Sequence, residues 1–137
     1  MLAINRSKFN DPRVHYQCVD IFSWVPQRTY DLVFFAFWLS HVPPSLLNPF
    51  LDKLSLALNP GGFLFMVDEP AGGRMLSGPA QDGMYQQRAI QDGRTFNIVK
   101  VYYDPFKIKD ELGIRGFGPI DVTVGDYFYY LQGERST

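Results

Sequence analysis

Three stretches of the chain gather side chains that can do chemistry. In Tyr30 to Pro44, YDLVFFAFWLSHVPP, the apolar run Leu32 to Leu39 stops at Ser40 and His41, and two prolines follow. An imidazole ionises near neutrality, so His41 can take a proton from a hydroxyl or an amine, as a general base does. It can equally line a pocket or cap the helix that follows. In Cys18 to Trp24, CVDIFSW, one carboxylate, Asp20, stands before Ile21 and two large aromatics, Phe22 and Trp24. A carboxylate only accepts hydrogen bonds, which suits a ligand that offers an amine. The alternative is a loop-capping aspartate. Asp68 and Glu69 are adjacent acids without a third partner, so no metal site is expected of them. Cys18 is the only cysteine, which excludes an intramolecular disulfide and a cysteine-built cluster. No G-x-G-x-x-G follows a strand, which argues against a dinucleotide-dependent dehydrogenase.

Regular elements must hold these residues in place. Met1, Leu2, Ile4 and Phe9, set against Asn5, Arg6 and Lys8, read as the end of an amphipathic helix, stopped by Asn10-Asp11-Pro12. RVHYQCVD alternates Val14, Tyr16 and Cys18 with His15 and Gln17, and predicts a strand ending at Asp20, with His15 solvated and Cys18 in the core. Tyr30 to Phe37 has strand length and no polar face, which predicts a central parallel strand covered on both sides. Leu47, Phe50, Leu51, Leu54 and Leu58 recur at helical spacing. Ser45 or Asn48 is the expected cap, with Pro49 in the first turn. Asn59-Pro60-Gly61-Gly62 ends that helix and Phe63 to Asp68 is a second apolar strand, giving a right-handed βαβ unit.

Beyond it, Glu69 to Gly93 supports only a helix near Met84 to Ile90. Arg94 to Tyr103 predicts a strand. Asp104 and Pro105 start a helix that Gly113 or Gly116 stops. Ile120, Val122 and Val124 begin a last long strand, with a bulge or bend at Gly125-Asp126. The expected core is Val33, Phe35, Leu51, Leu54, Leu58, Leu64, Met66 and Ile98. Asp31, Tyr102, Tyr103 and the run Tyr127 to Tyr130 are expected to be structural.

Composition sets the outer bounds. A chain of 137 residues, 46% hydrophobic and 16% aromatic, fits one domain with a real core. A net charge of −1 without a basic run gives a nucleic-acid backbone nothing to hold. MLAINRSKF lacks the apolar core of a signal peptide, and the longest apolar run is far below the roughly 20 residues of a membrane helix. A soluble, cytoplasmic protein is expected.

Read in succession, these motifs carry a resemblance. An acid closing a strand at Asp20, then YDLVFFAFWLSHVP, then F…L…LALNPGGFLFMVDE, then GRTFNIVKVYYDP…ELGIRGF, together resemble the class I S-adenosylmethionine-dependent methyltransferases along nearly the whole chain. The resemblance implies an α/β fold with a Rossmann-like three-layer sheet, strand order 3-2-1-4-5-7-6 and an antiparallel last strand. It implies S-adenosyl-L-methionine as cofactor and a small-molecule methyl acceptor. It makes Asp20 the acid for the adenine amino group with Ile21 and Phe22 beside it, sets Phe37 and Trp38 against the cofactor, and makes His41 the catalytic candidate at the acceptor.

The departure from the family pattern is equally specific. No glycine-rich loop occurs before residue 61, and the Gly72-Gly73 pair follows the wrong strand. Residues 1–137 therefore resemble a single partial methyltransferase domain, truncated at its N-terminus by two strands. Strands lie about 4.8 Å apart, so that gap cannot be bridged in place. Either Val14–Val19 moves over to pair with Tyr30–Phe37, or edges stay exposed and offer a route to a homo-oligomer. The alternatives are a non-catalytic remnant and a binding or scaffold subunit completed by a partner chain.

Overall fold

Two strands with almost no polar residues form the seam of the sheet. In the computed structural model, which describes residues 2–9, 11–70 and 84–137, the order of elements is α1 (Leu2–Lys8), β1 (Tyr30–Ala36), a 3-10 turn (Leu39–His41), α2 (Pro44–Ala57), β2 (Leu58–Asp68), β3 (Tyr85–Ala89), β4 (Thr95–Val99), α3 (Pro105–Ile114), β5 (Phe117–Val124) and β6 (Tyr129–Arg135). The main sheet runs β1-β2-β6-β5. β1 and β2 are parallel, with Val33 opposite Leu64 and Phe35 opposite Met66. β6 is antiparallel to both β2 and β5. This is the 4-5-7-6 half of the expected order. β3 and β4 form a separate antiparallel hairpin.

One face of the sheet is covered. Leu64 and Met66 of β2, Leu131 and Tyr129 of β6 and Ile120 of β5 pack with Phe50, Leu51 and Leu54 of α2 and Ile108 and Leu112 of α3 in one core. Val33 and Phe35 border it half-buried, and Ile98 lies outside it in the hairpin. The opposite face is open: Leu32 and Phe34 are each 58% exposed and Phe63 52%. Phe34 stacks on Phe65 at 5.8 Å and Phe65 on Tyr130 at 6.5 Å, an aromatic ladder across that open face. Of three expected layers, the described residues supply the sheet and one layer of helices.

Several local expectations are corrected. β1 is an edge strand with one uncovered face, not a central strand covered on both. Val14 to Asp20 is irregular and largely exposed, Cys18 included. Alternation alone makes no strand when the neighbour to pair with is absent. α1 forms, but it buries none of its residues. The cap of α2 is Pro43, with Pro44 in the first helical position, and Pro49 sits inside the helix. Pro44 can open a helix because its missing N–H would have no partner there.

The region Met84 to Ile90 is mostly strand, since cross-strand pairing with Thr95–Val99 overrides helix propensity. Arg94 to Tyr103 is strand only over Thr95–Val99. The last long strand is two, β5 and β6, and where a bulge or bend was expected the chain bends at Asp126-Tyr127 to close a hairpin, the Gly125 amide donating to the Phe128 carbonyl at 2.8 Å. Asp104 caps α3 as expected, accepting from the Phe106 amide at 2.9 Å. The Gly72-Gly73 pair, Met1 and Asn10 lie outside the described residues.

Candidate functional site

Parallel strands β1 and β2 point their carboxyl ends the same way, and ligands of open α/β sheets bind at such ends. The turn at Asp20 approaches this region from outside the sheet. Asp20 Oδ1 accepts from the Phe22 amide at 2.9 Å, and its carbonyl accepts from the Trp24 amide at 2.8 Å. So the loop-capping reading of Asp20 holds, and it uses one carboxylate oxygen. Among the described residues Oδ2 has no partner.

Behind the turn lies an apolar slot of about 570 Å³. Asp20, Ile21, Phe22 and Trp24 form its outer wall, Val33, Phe35 and Trp38 its sheet side, and Phe50, Leu54 and Ala57 of α2 its floor. Asp20 is the only charged side chain among the described residues lining it. The Phe22 and Trp38 rings stand 6.0 Å apart at 35°. A slot of flat apolar walls with one carboxylate at its rim suits a planar ring bearing an amine. A larger recess of about 970 Å³ is lined by Tyr16 and Tyr30 at the amino end of β1, and Tyr30 also borders the slot.

The slot brings together Asp20, Ile21, Phe22 and Trp38. Phe37 and His41 are not among the described residues that line it. Phe37 takes a left-handed backbone, φ 55°, donates its amide to the Val67 carbonyl at 2.8 Å, and packs its ring edge-on against Phe128 at 5.2 Å. A bulky residue in that conformation is uncommon and marks a sharp change of direction at the end of β1. His41, three residues past Trp38, donates from Nδ1 to the Val99 carbonyl at 2.7 Å. That bond leaves Nε2 as the nitrogen carrying the lone pair in the neutral ring. A base-competent tautomer is therefore set by the β3–β4 hairpin.

Beneath His41 is a buried polar cluster. Asp68 accepts the Ser40 amide at 2.9 Å and the Glu69 amide at 2.8 Å, one on each oxygen. Lys100 lies 3.2 Å from Glu69 with both side chains at most 5% exposed, and donates to Ser40 Oγ at 3.0 Å. The Val101 amide reaches the Ser40 carbonyl at 2.8 Å, and the Tyr103 hydroxyl donates to the Val42 carbonyl at 2.8 Å. The hairpin is thus fastened to the 3-10 turn from Ser40 to Val42. Asp68 and Glu69 serve as internal hydrogen-bond and ion partners. Sequence reading missed Lys100, and also Lys53 of α2, which donates to the Ile21 and Phe22 carbonyls at 2.8 Å each. No local pattern announces either lysine, because their partners are far away in sequence.

Burial pushes the Tyr103 phenol up to about 12, from an ordinary 10.0. Burial, and next the Asp68 charge, also raise Tyr129. A phenol held neutral by the fold contributes stability that is complete below pH 10 and is lost as pH rises through the folded value. Tyr103→Phe should therefore flatten the fall in stability between pH 10 and about 12, measured as urea midpoints. An unchanged slope would contradict the burial of this ring.

With this geometry in place, likeness to solved structures is informative. No protein-family profile matches the chain, and no curated protein does. A solved DhpI–SAH complex is 30% identical over 99% of this chain, with a TM-score of 0.78; this chain spans 61% of that protein. The DhpI–SAM–HEP complex aligns with a TM-score of 0.79, at 30% identity over 96% of this chain and 62% of that one. An S-adenosylmethionine dependent methyltransferase from Mesorhizobium loti shares the fold at 18% identity, with a TM-score of 0.72 over 98% of this chain and 76% of that one. The sheet order and these likenesses show that the chain shares the fold of S-adenosylmethionine-dependent methyltransferases. It spans about three fifths of the length of DhpI.

Proposed function

We propose that this chain is the adenine-and-acceptor half of an S-adenosylmethionine-dependent methyltransferase acting on a small molecule in the cytoplasm, one partial domain over residues 1–137. The observation that carries the reading is the slot behind Asp20. Its apolar walls accept a flat ring, Asp20 Oδ2 is available to a ring amine, and the Ile21 amide beside it donates to no described group. An acceptor and a donor side by side match the amine and neighbouring ring nitrogen of adenine. Ile21, Phe22 and Trp38 would hold the ring, and Phe37 would turn the chain past the rest of the cofactor. When bound, S-adenosylmethionine supplies an electrophilic methyl group on a sulfonium. His41 accepts the acceptor's proton at Nε2, with the Val99 carbonyl holding the ring from behind. Much of the rate of such a transfer comes from positioning, so loss of the base slows the reaction without abolishing it.

A second reading has its own support. β1 is an edge strand with an exposed apolar face, which favours a subunit completed by another chain, a second copy included. No helix among the described residues is long and apolar enough to cross a membrane.

The test uses the chain extended upstream by a glycine-rich strand–loop–helix segment. Asp20→Ala should weaken S-adenosylmethionine binding about 10- to 100-fold, measured by calorimetry. His41→Ala should lower the transfer rate and leave binding nearly unchanged. The opposite assignment, with binding lost in His41→Ala and kept in Asp20→Ala, would refute this placement of the site.

A further inference from the structure

The structure assigns to Lys53 the positioning of the Asp20 carboxylate, an inference that rests on the adenine reading of the slot. Lys53 makes no direct contact with that carboxylate, yet one peptide group joins them. Its ammonium donates to the Ile21 carbonyl at 2.8 Å, and the amide of the same peptide group, that of Phe22, donates to Asp20 Oδ1 at 2.9 Å. The next peptide group repeats the arrangement: Lys53 donates to the Phe22 carbonyl at 2.8 Å, and the Ser23 amide donates to the Asp20 carbonyl at 3.2 Å. A cation at the oxygen end of a peptide polarises it and strengthens the bond its N–H makes at the other end. Lys53 therefore fixes the planes of two successive peptides and, through them, holds Oδ1, which leaves Oδ2 for a ligand.

Its origin on α2 matters. The same helix supplies Phe50, Leu54 and Ala57 to the floor of the slot, so carboxylate and floor share one rigid reference. No ion pair involves Lys53 among the described residues, which leaves its charge committed to this turn. Methionine keeps the apolar stem and loses the ammonium, whereas arginine retains a donor fork.

The test is made on the 137-residue chain with adenosine and inosine as probes, followed by NMR titration. Inosine carries a carbonyl where adenosine carries the amine, so a fixed carboxylate favours adenosine and a loose one does not. In Lys53→Met the exchange of the Phe22 and Ser23 amides should rise about tenfold, as expected for a lost charge-assisted bond. The preference for adenosine should fall several-fold, with the urea midpoint little changed and Lys53→Arg largely restoring both. Should the methionine variant not fold, Lys53→Gln replaces it. Wild-type exchange and preference in these variants would overturn the proposal. Faster exchange with an unchanged preference would also overturn it, reducing Lys53 to a structural tie. If the wild-type chain fails to distinguish the two nucleosides, the adenine reading falls, and amide exchange alone decides whether Lys53 holds the turn.

Discussion

Lys100→Met should destabilise the protein by about 3–5 kcal/mol in urea unfolding, because it removes the ammonium that faces the buried Glu69 carboxylate. Both side chains are at most 5% exposed, so water cannot take the place of the lost partner. The Ser40 hydroxyl loses its donor in the same step. Glu69 keeps its hydrogen bond with Tyr102, which sets the expected loss at the lower end of that range. Replacing both members, Lys100→Met with Glu69→Leu, should recover most of the loss, since removing a buried pair together is often close to neutral. A loss below about 1 kcal/mol in the single variant, the level of an exposed pair, would mean that the pair is solvated in solution. The same variant should loosen the β3–β4 hairpin on the 3-10 turn, where the Val101–Ser40 and His41–Val99 bonds remain.

What the sequence revealed and concealed follows from the range of the interactions. The βαβ unit from Tyr30 to Asp68 was legible, since continuous apolar strands and the spacing Leu47, Phe50, Leu51, Leu54 are local signals. So was the Asp104-Pro105 start of α3. Val14 to Asp20 misled because alternation records a face to be buried, while a strand also needs a neighbour. Ser40, Asp68, Glu69 and Lys100 meet from three separate segments, and no spacing could pair Lys100 with a residue some thirty positions away. Asp20, Ile21, Phe22 and Trp38 line one slot, while Phe37, named with them, does not. The placement of Phe37 against Phe128 depends on a hairpin that was not foreseen.

The second large effect concerns cofactor affinity. On the proposed reading of the slot, which gives it contacts to the adenine end only, the 137-residue chain alone should bind S-adenosylhomocysteine in the millimolar range or more weakly. A segment with a strand, a glycine-rich loop and a helix, joined upstream of Leu2, should raise affinity to the micromolar range, about 4 kcal/mol. One segment serves two needs. Its strand can pair with the free edge of β1, and its helix start offers amides to the polar end of the ligand. Calorimetry on both proteins is the measurement. Micromolar affinity in the shorter chain would mean that the slot and its surroundings form a complete site already.

The sheet order also dictates how this chain assembles in time. β1, α2 and β2 are consecutive, and so are α3, β5 and β6; each group can form from near neighbours in sequence. They meet along one seam, where Phe63 to Asp68 pair with Tyr129 to Glu134, more than sixty positions later in the chain. Closing so long a loop costs entropy before the seam returns any contact. The slow step of folding is therefore the docking of two preformed pieces. Until it occurs the edge of β2 away from β1 stands unpaired, and the transient species most open to misassembly is the one in which β2 still waits for β6.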